Sequence, residues 1–429
     1  MTSAPALDTL VVAERVLGRC DELAAISSEP NLLERVHLSP EHRRANHLAA
    51  SWMTEAGLGT WQDAGGNQCG RLEGAQPGLP ALLMGSHLDT VRNAGRYDGM
   101  LGVLLAIEVA ARIARRTDPL PFALEVVGFT DEEGTRFGTA LLGSRALAGG
   151  FDPEWWELRD RDGITLREAF IGFGLDPARL PNAARRPESL IGYLEAHIEQ
   201  GPWLEEADRP LAVVSSIAGA RRFELTMTGT AGHAGGTPYD RRRDALVGAS
   251  ELVVEVEAIG RATGAIATIG RLQAFPGGVN VIPGRVEFSL DLRAESDGER
   301  DGAFAEILQR AHGIAARRGL HFEFRETYRA DATPCAPWLR DAVASGIRRT
   351  GDDDPMTLWS RAGHDGMAVH EVTDIAMLFI RCGNGGISHH PDESVTLPDV
   401  ALALDALEAA VLDIAEQVRA DPARFLGER

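Results

Sequence analysis

Two apolar runs of the sequence are each followed by side chains that could bind a metal ion or transfer a proton. The run Ala81 to Ser86 precedes His87, Asp89 and Asp98, and the run Leu124 to Phe129 precedes Asp131, Glu132 and Glu133. Ligands of open α/β sheets gather at the carboxyl ends of the strands, so both groups are expected at one sheet edge. A buried strand that delivers three acids would be costly without a cation to neutralise them. Nitrogen and oxygen ligands without sulfur favour zinc, manganese, cobalt or nickel.

Each of these features also has an ordinary structural interpretation. A single histidine after a strand is more often a hydrogen-bonding residue than a ligand, and Asp98-Gly99 alone is typical of a turn. The acidic run at 131–133 could open a solvated helix. For His197, within Glu195 to Gly201, both interpretations are open, whereas His389-His390 lies beside glycine and proline in a loop, where function is common. Together these residues favour a functional site over separate structural roles.

Alternating strand and helix patterns surround these residues. The runs 81–86 and 122–130 are typical of buried strands, and 101–116 between them is typical of a helix. Ser39 as N-cap, Pro40 in the first turn and Gly57 beyond the end predict a helix over Pro40 to Glu55. Near the end of the chain, a further buried strand (376–381) and an amphipathic helix (400–419) resume the same pattern. This is α/β organisation.

The pattern changes between residues 212 and 330. It predicts, in order, strand 222–229, helix 244–261, strand 267–274, strand 285–293, helix 300–317 and strand 320–325. This βαββαβ order is the ferredoxin-like arrangement. We therefore predict an α/β catalytic domain with a mixed, largely parallel sheet flanked by helices, formed by residues 1–211 and 331–429. Residues 212–330 are predicted to form an inserted ferredoxin-like domain.

Length and composition agree with this organisation. The 429 residues exceed what one hydrophobic core usually supports, and 44% hydrophobic with 25% charged residues is typical of a globular protein. A net charge of −20 argues against nucleic-acid and membrane partners, so an anionic substrate would need local arginines. The four cysteines are far apart and predict neither disulfides nor a thiolate zinc site. With no signal-peptide pattern near the N-terminus, we expect a cytoplasmic protein.

Seven motifs follow one another between about residue 80 and residue 395. They are Gly85 to Val91, Asp98-Gly99, Glu132 to Phe137, His197 to Pro202, Gly232 to Gly235, Asn280 to Gly284 and Gly386 to His389. In this order they resemble the amidase/hydantoinase/carbamoylase branch of the M20 metallopeptidase superfamily. Members of that branch include N-carbamoyl-L-amino-acid hydrolases, allantoate amidohydrolases and β-ureidopropionases. The resemblance implies a hydrolase that cleaves a linear C–N bond in a ureido acid.

The resemblance also implies a role for each residue of the site. It implies two divalent cations per subunit, zinc or manganese with cobalt or nickel as alternatives. One cation would be held by His87 and His197, the other by Glu133 and His389, and both by Asp98. Glu132 would be the general base, taking a proton from water and returning it to the departing nitrogen, and Asp89 would orient His87.

The inserted domain would be both a lid and the dimerisation domain of a homodimer, with His233 reaching the partner subunit's site. Asn280 and Arg293 match positions that hold the substrate, and Arg293 is suited to a carboxylate. On the strand pattern alone, Arg293 would be an ordinary outward-facing residue. Gln200 and Gly363 are further expected substrate contacts.

The segment Ala218 to Phe223 resembles that of allantoate amidohydrolases, where Arg222 aligns with a substrate contact. We therefore expect allantoate as substrate, with release of ammonia and carbon dioxide, and an N-carbamoyl-L-amino acid or 3-ureidopropionate as alternatives. Gly236, Tyr239 and Arg361 depart from the family pattern near the pocket and leave specificity open. More distant alternatives are an M20 aminopeptidase or dipeptidase, which usually has an acid at the position of His197, and a non-catalytic binding protein.

Overall fold

A computed structural model describes residues 5–426. The first four and last three residues, which the predicted domain bounds include, lie outside the described residues. The helices are α1 (Leu7–Ala24), α2 (Pro40–Glu55), α3 (Met100–Ala114), α4 (Leu142–Ala148), α5 (Leu166–Gly172), α6 (Trp203–Glu206), α7 (Ala245–Thr263), α8 (Asp297–Arg318), α9 (Pro337–Arg349), α10 (Gly366–Val369), α11 (Leu397–Ala420) and α12 (Pro422–Leu426). The strands are β1 (Gly59–Gln62), β2 (Gln68–Leu72), β3 (Ala81–His87), β4 (Ala123–Phe129), β5 (Leu190–Ile198), β6 (Leu211–Ile217), β7 (Gly219–Thr228), β8 (Gly232–His233), β9 (Ile266–Thr268), β10 (Leu272–Phe275), β11 (Val281–Ile282), β12 (Arg285–Ala294), β13 (His321–Ala330), β14 (Thr333–Pro334), β15 (Met356–Ser360) and β16 (Ile375–Ile380).

The chain divides into two compact units. The first comprises Met1–Ser215, Cys335–Leu358 and Gly363–Arg429, and the second comprises Ser216–Pro334 and Trp359–Ala362. The second unit thus interrupts the first in sequence. In the described range, no helix combines the length and the apolar character that crossing a bilayer requires.

A mixed sheet forms the centre of the first unit. Within this unit its strands run in the order β1, β2, β4, β3, β5, β16 and β6, and β15 also pairs with β6. The four central strands β4, β3, β5 and β16 pair in parallel, while β1, β2 and β6 are antiparallel to their neighbours. Helices α2, α3, α9 and α11 pack against these strands. The predicted α/β class with a largely parallel sheet flanked by helices is therefore confirmed.

Burial on both faces explains why the central strands have apolar sequences. Every residue of β3 and β4 is buried, as expected for parallel strands covered by helices. Helix α3 is apolar almost all round and packs close to β5. A Cβ atom added at Gly102 of α3 would lie 2.1 Å from the backbone oxygen of Ala196, so only glycine permits this approach.

Helix α2 begins and ends where its sequence predicts. The Ser39 hydroxyl accepts a hydrogen bond from the His42 amide at 3.0 Å, and Pro40 occupies the first helical position. The chain leaves the helix through Gly57, whose φ of +92° favours glycine.

The second unit contains an antiparallel sheet in the order β10, β12, β7 and β13, with β9 also beside β12. The buried face of the sheet packs against α7 and α8. In chain order these elements are β7, α7, β9, β10, β12, α8 and β13, one strand more than the predicted βαββαβ order. The prediction of a single strand over 267–274 is wrong, because the chain forms two strands there, β9 and β10, with a break between them. At the break, the Arg271 amide donates to the Ser289 hydroxyl rather than to a backbone carbonyl.

Candidate metal centre

The predicted ligands lie at the carboxyl ends of four adjacent parallel strands. His87 is the last residue of β3, and His197 is next to last in β5. Glu133 lies in the turn after β4, His389 in the loop after β16, and Asp98 just before α3. Since β4, β3, β5 and β16 are neighbours, their ends meet at one edge of the sheet, as expected for an open α/β fold.

Asp98 lies at the centre of this group. Its Oδ1 atom is 3.4 Å from Nε2 of His87 and 3.1 Å from Nε2 of His197. Its Oδ2 atom is 3.2 Å from Nε2 of His389, which in turn is 3.5 Å from Oε1 of Glu133. The two oxygens of one carboxylate therefore face two different groups of ligands. The structure brings all five predicted metal ligands together.

The donor atoms fit divalent cations. Among the described residues, buried Nε2 of His197 has no hydrogen-bond partner, although it lies 3.1 Å from a carboxylate oxygen of Asp98. Candidate ligand atoms of His87, Asp98 and His197 lie within 4.8 Å of one another, and so do those of Asp98, Glu133 and His389. Imidazole nitrogens and carboxylate oxygens without sulfur suit zinc and manganese. Two candidate ligand groups thus share Asp98.

Titratable side chains at this edge of the sheet have shifted pKa values. Burial raises the pKa of Glu132 well above its usual range, and burial together with the Asp98 charge raises the pKa of Glu133 to about 7. The hydrogen bond with Asp98 raises the pKa of His389 to about 9. Ligands must lose their protons to bind a metal, so cations would compete with protons for these groups.

Asp89 connects the end of β3 to the turn that follows β4. Its carboxylate accepts hydrogen bonds from the backbone amides of Glu132, at 3.0 Å, and of Glu133, at 3.2 Å. Nδ1 of His87 lies 3.0 Å from the backbone oxygen of Asp89 and 3.6 Å from its carboxylate. Burial opposes the charge of Asp89, yet the hydrogen bond from His87 and the charges around it hold its pKa below the usual value. Asp89 therefore positions Glu132 and Glu133 at least as directly as it positions His87.

Several polar residues of the site were missed by sequence reasoning. Glu195 accepts a hydrogen bond from the Ser86 hydroxyl at 2.8 Å, and the His364 ring packs edge-on against His197 at 4.5 Å. A signal for Glu195 was present, because residues two apart on a strand share a face and Glu195 stands two before His197. The sequence around His364 contains no comparable pattern.

Gln200, predicted as a substrate contact, lies against Asp98. Its side-chain amide donates to Oδ2 of Asp98 at 2.9 Å and to the Ser388 hydroxyl at 3.2 Å. Ser388 also contacts Glu393, which is buried in the same loop. Gly363, another predicted contact, lies in the first unit between β15 and α10.

The other predicted substrate residues belong to the second unit. Arg222 on β7 and Arg293 on β12 both pair with Asp291, with Nε to Oδ distances of 2.8 Å each. The Arg293 guanidinium also donates to the backbone oxygen of Arg361 at 2.9 Å. Arg221, next to Arg222, points to the opposite face and packs over Phe223. Only Arg222 of this arginine pair therefore lies on the same face as Arg293.

His233 is exposed on the short strand β8, which pairs with β11. Its Nδ1 atom accepts a hydrogen bond from the Gly236 amide at 3.0 Å. The backbone oxygen of Asn280 accepts from the Ala234 amide at 2.9 Å, which places Asn280 beside the same turn. Tyr239, a departure from the family pattern, is exposed, and the guanidinium of Arg242 stacks on its ring at 4.0 Å.

Comparison with known proteins agrees with this geometry. Residues 83–413 match the model of peptidase family M20/M25/M40. An N-carbamoyl-L-amino acid amidohydrolase of Geobacillus stearothermophilus is 41% identical over 95% of this chain and 100% of the relative. An allantoate deiminase of Arabidopsis thaliana is 38% identical over 92% of this chain and 81% of the relative.

Solved structures show the same relationship. A crystal structure of an amidase of the hydantoinase/carbamoylase family from Burkholderia multivorans has a TM-score of 0.86 and 33% identity. It covers 94% of this chain, and this chain covers 98% of it. The relatives support a hydrolase of non-peptide C–N bonds in linear amides, acting on a small carbamoyl or ureido compound. The chain belongs to peptidase family M20/M25/M40, among its carbamoyl and ureido amidohydrolases.

Proposed function

We propose that the chain is a two-metal amidohydrolase that cleaves the linear C–N bond of a ureido acid bearing a carboxylate. The observation that carries this proposal is the position of Asp98, whose two oxygens face different histidines. Glu132 follows a neighbouring strand end and is available as a base. The relatives that hydrolyse N-carbamoyl-L-amino acids and allantoate support the same class of reaction.

In this proposal, His87 and His197 would hold one cation, Glu133 and His389 would hold the other, and Asp98 would be shared by both. Zinc and manganese are the first candidates, with cobalt and nickel as alternatives. When bound, such cations lower the pKa of water toward neutrality and polarise a carbonyl oxygen.

Glu132 is proposed as the general base. Its backbone amide is fixed by the Asp89 carboxylate, and it precedes the ligand Glu133 directly. Burial raises the pKa of its carboxyl, which increases the affinity of Glu132 for the proton of the attacking water. It then returns this proton to the departing nitrogen, which leaves as a neutral amine.

The substrate carboxylate is proposed to bind at the second unit's arginines. Arg222 and Arg293 share one counter-ion, Asp291, so the three side chains carry one net positive charge. Asn280, Gln200 and Gly363 are the further substrate contacts that the family motifs suggest. We propose allantoate as the preferred substrate, with N-carbamoyl-L-amino acids as the second candidate because a relative with that activity is 41% identical.

We further propose that the second unit, as lid and dimerisation domain, joins two copies into a cytoplasmic homodimer in which His233 acts on the partner subunit's substrate. Mixing a His233→Ala chain with a Glu132→Gln chain tests this arrangement. Mixed dimers should then contain one intact site of two and recover up to half of the wild-type activity per dimer. Confirmed mixed dimers without recovery would place His233 in the site of its own chain.

The central experiment replaces Glu132 by glutamine. The variant should bind Zn²⁺ or Mn²⁺ as wild type does, but its turnover should fall by about 10²–10⁴, the usual effect of removing a positioned base. Glu154→Gln, a change of an exposed acid in the same unit, is the matched control and should keep full activity. Near-normal turnover of Glu132→Gln would contradict the assignment.

Ammonia release from allantoate, several N-carbamoyl-L-amino acids and 3-ureidopropionate ranks the substrates. A set of dipeptides included in the same assay tests the peptidase alternative, which requires faster cleavage of dipeptides than of ureido acids. A binding protein without catalysis would release no ammonia with Zn²⁺ or Mn²⁺ supplied.

A further inference from the structure

Glu393 is a buried acid for which neither the family motifs nor the proposed reaction provides a role. It lies in the loop between β16 and α11, four residues after His389, and its side chain is only 4% exposed. Its Oε1 atom accepts hydrogen bonds from the backbone amides of Tyr97, at 2.8 Å, and of Asp98, at 3.1 Å. The Glu393 carboxylate thus binds the backbone of a loop that lies 295 residues away in sequence.

The second oxygen of Glu393 reaches the side chain of Asp98 through Ser388. Oε2 of Glu393 lies 2.8 Å from the Ser388 hydroxyl, and this hydroxyl lies 3.0 Å from Oδ2 of Asp98. Glu393 therefore contacts both the backbone and, through one intermediary, the carboxylate of the residue between the two ligand groups. Oδ2 is the oxygen that faces His389.

The backbone at Gly95 leaves room for the Glu393 side chain. A Cβ atom added at Gly95 would lie 2.3 Å from the carboxylate of Glu393, so a larger residue at position 95 would displace it. A carboxylate buried at this depth needs hydrogen-bond donors, and the two amides supply them, while the single proton of the Ser388 hydroxyl can go either to Glu393 or to Asp98. Its neighbour Asp392 is exposed and makes none of these contacts.

We propose that Glu393 is a positioning residue for Asp98, fixing the direction of both carboxylate oxygens so that each faces its own cation. The inference rests on the proposed role of Asp98 as the ligand shared by two cations. Hydrogen-bond partners of metal ligands set ligand orientation, and their loss typically weakens metal affinity by about 10–100-fold.

The test compares Glu393→Leu with Glu393→Gln. Leucine has a similar volume but leaves the amides of Tyr97 and Asp98 without an acceptor. Glutamine keeps an oxygen for these amides, and its NH₂ group can donate to the Ser388 hydroxyl, which then donates to Asp98. We expect the dissociation constants for Zn²⁺ and Mn²⁺ to rise about 10–100-fold in the leucine variant and less than about threefold in the glutamine variant.

Competition with a chromophoric chelator measures these dissociation constants without any substrate. Asp392→Asn is the matched control, because it removes an adjacent but exposed acid, and its metal affinity should equal that of wild type. If Glu393→Leu does not fold, Ser388→Ala replaces it as the decisive variant. It removes the link between Glu393 and the Asp98 carboxylate, together with the contact of Gln200 with the hydroxyl, and should weaken metal binding by about threefold or more.

The outcomes separate this inference from the proposed function. Wild-type protein that binds neither Zn²⁺ nor Mn²⁺ would overturn the metal centre itself. Wild-type protein that binds both, together with folded Glu393→Leu and Ser388→Ala variants of unchanged affinity, would overturn only the role of Glu393. Lower thermal stability with unchanged metal affinity would likewise assign Glu393 to loop closure alone.

Discussion

Replacing Asp89 by asparagine should slow catalysis while leaving the fold intact. The two carboxylate oxygens of Asp89 accept one backbone amide each, from Glu132 at 3.0 Å and from Glu133 at 3.2 Å. Asparagine keeps one oxygen but presents an NH₂ group in place of the other. In either orientation of the amide, one backbone N–H then faces a donor instead of an acceptor.

The size of the effect follows from these contacts. A hydrogen bond to a charged acceptor contributes about 1.5–3 kcal/mol, and Asp89→Asn removes one such bond at a buried position. Because the two amides belong to the proposed base and to a proposed ligand, most of this loss should appear in the activation barrier. At about 1.4 kcal/mol per factor of ten, kcat should fall about 10–100-fold.

The assay is ammonia release from the preferred ureido acid, with kcat and KM measured separately at saturating metal. Asp63→Asn is the matched control, because Asp63 also accepts backbone amides in a turn, from Gly65 and Asn67 at 2.9 Å each. That control should lower stability, because the new NH₂ group would face the side-chain amide of Asn67, but it should change kcat by less than about twofold. A metal-loaded Asp89→Asn protein with wild-type kcat would refute the reasoning.

Three other perturbations have defined outcomes. Burial lowers the pKa of His42 to about 4. Between about pH 6.5 and pH 4, only the unfolded chain therefore gains this proton, and the free energy of unfolding should fall by up to about 1.4 kcal/mol for each unit by which the pH is lowered. His42→Gln should lose less stability than wild type between pH 7 and pH 5 in urea unfolding. Glu108→Ala should cost about 3 kcal/mol in the same assay, because it removes the buried carboxylate shared by Arg15 and Arg19 and leaves Arg19 paired, among residues 5–426, with only the exposed Glu55. Arg44→Ala at an exposed pair should cost under about 1 kcal/mol. Removing metal with a chelator should abolish ammonia release and lower the melting temperature, and unchanged activity would contradict the metal requirement.

Much of the fold follows from local sequence. The strands β3 and β4 are predicted because they are apolar throughout, and α2 is predicted because its caps are present in the sequence. Strand β5 was not predicted, although it lies at the centre of the sheet, because Glu195 and His197 interrupt its apolar character. Departures of this kind are expected where a strand carries functional residues.

The candidate site was only partly predictable. Chemically suited residues can be found because strand ends in an α/β sheet meet, so His87, Glu133 and His389 could be grouped from the sequence. Their partners could not, since the contact between Glu393 and the Asp98 amide joins residues 295 positions apart. Strand alternation places Arg221 and Arg222 on opposite faces, but tertiary packing determines which of them faces the helices.

The balance of charge at this sheet edge links the fold to its chemistry. Buried acids at or beside the site are Asp89, Asp98, Asp131, Glu195, Asp365 and Glu393. The buried arginine beside them, Arg35, donates to the backbone oxygen of Leu88 and makes no ion pair with a carboxylate in the described part of the chain. Burial raises the pKa of Glu195 and of Glu393, so both carboxyl groups bind a proton more readily than an exposed glutamate does. Divalent cations held by the adjacent histidines would add positive charge at this edge, which favours the ionised form of the buried acids.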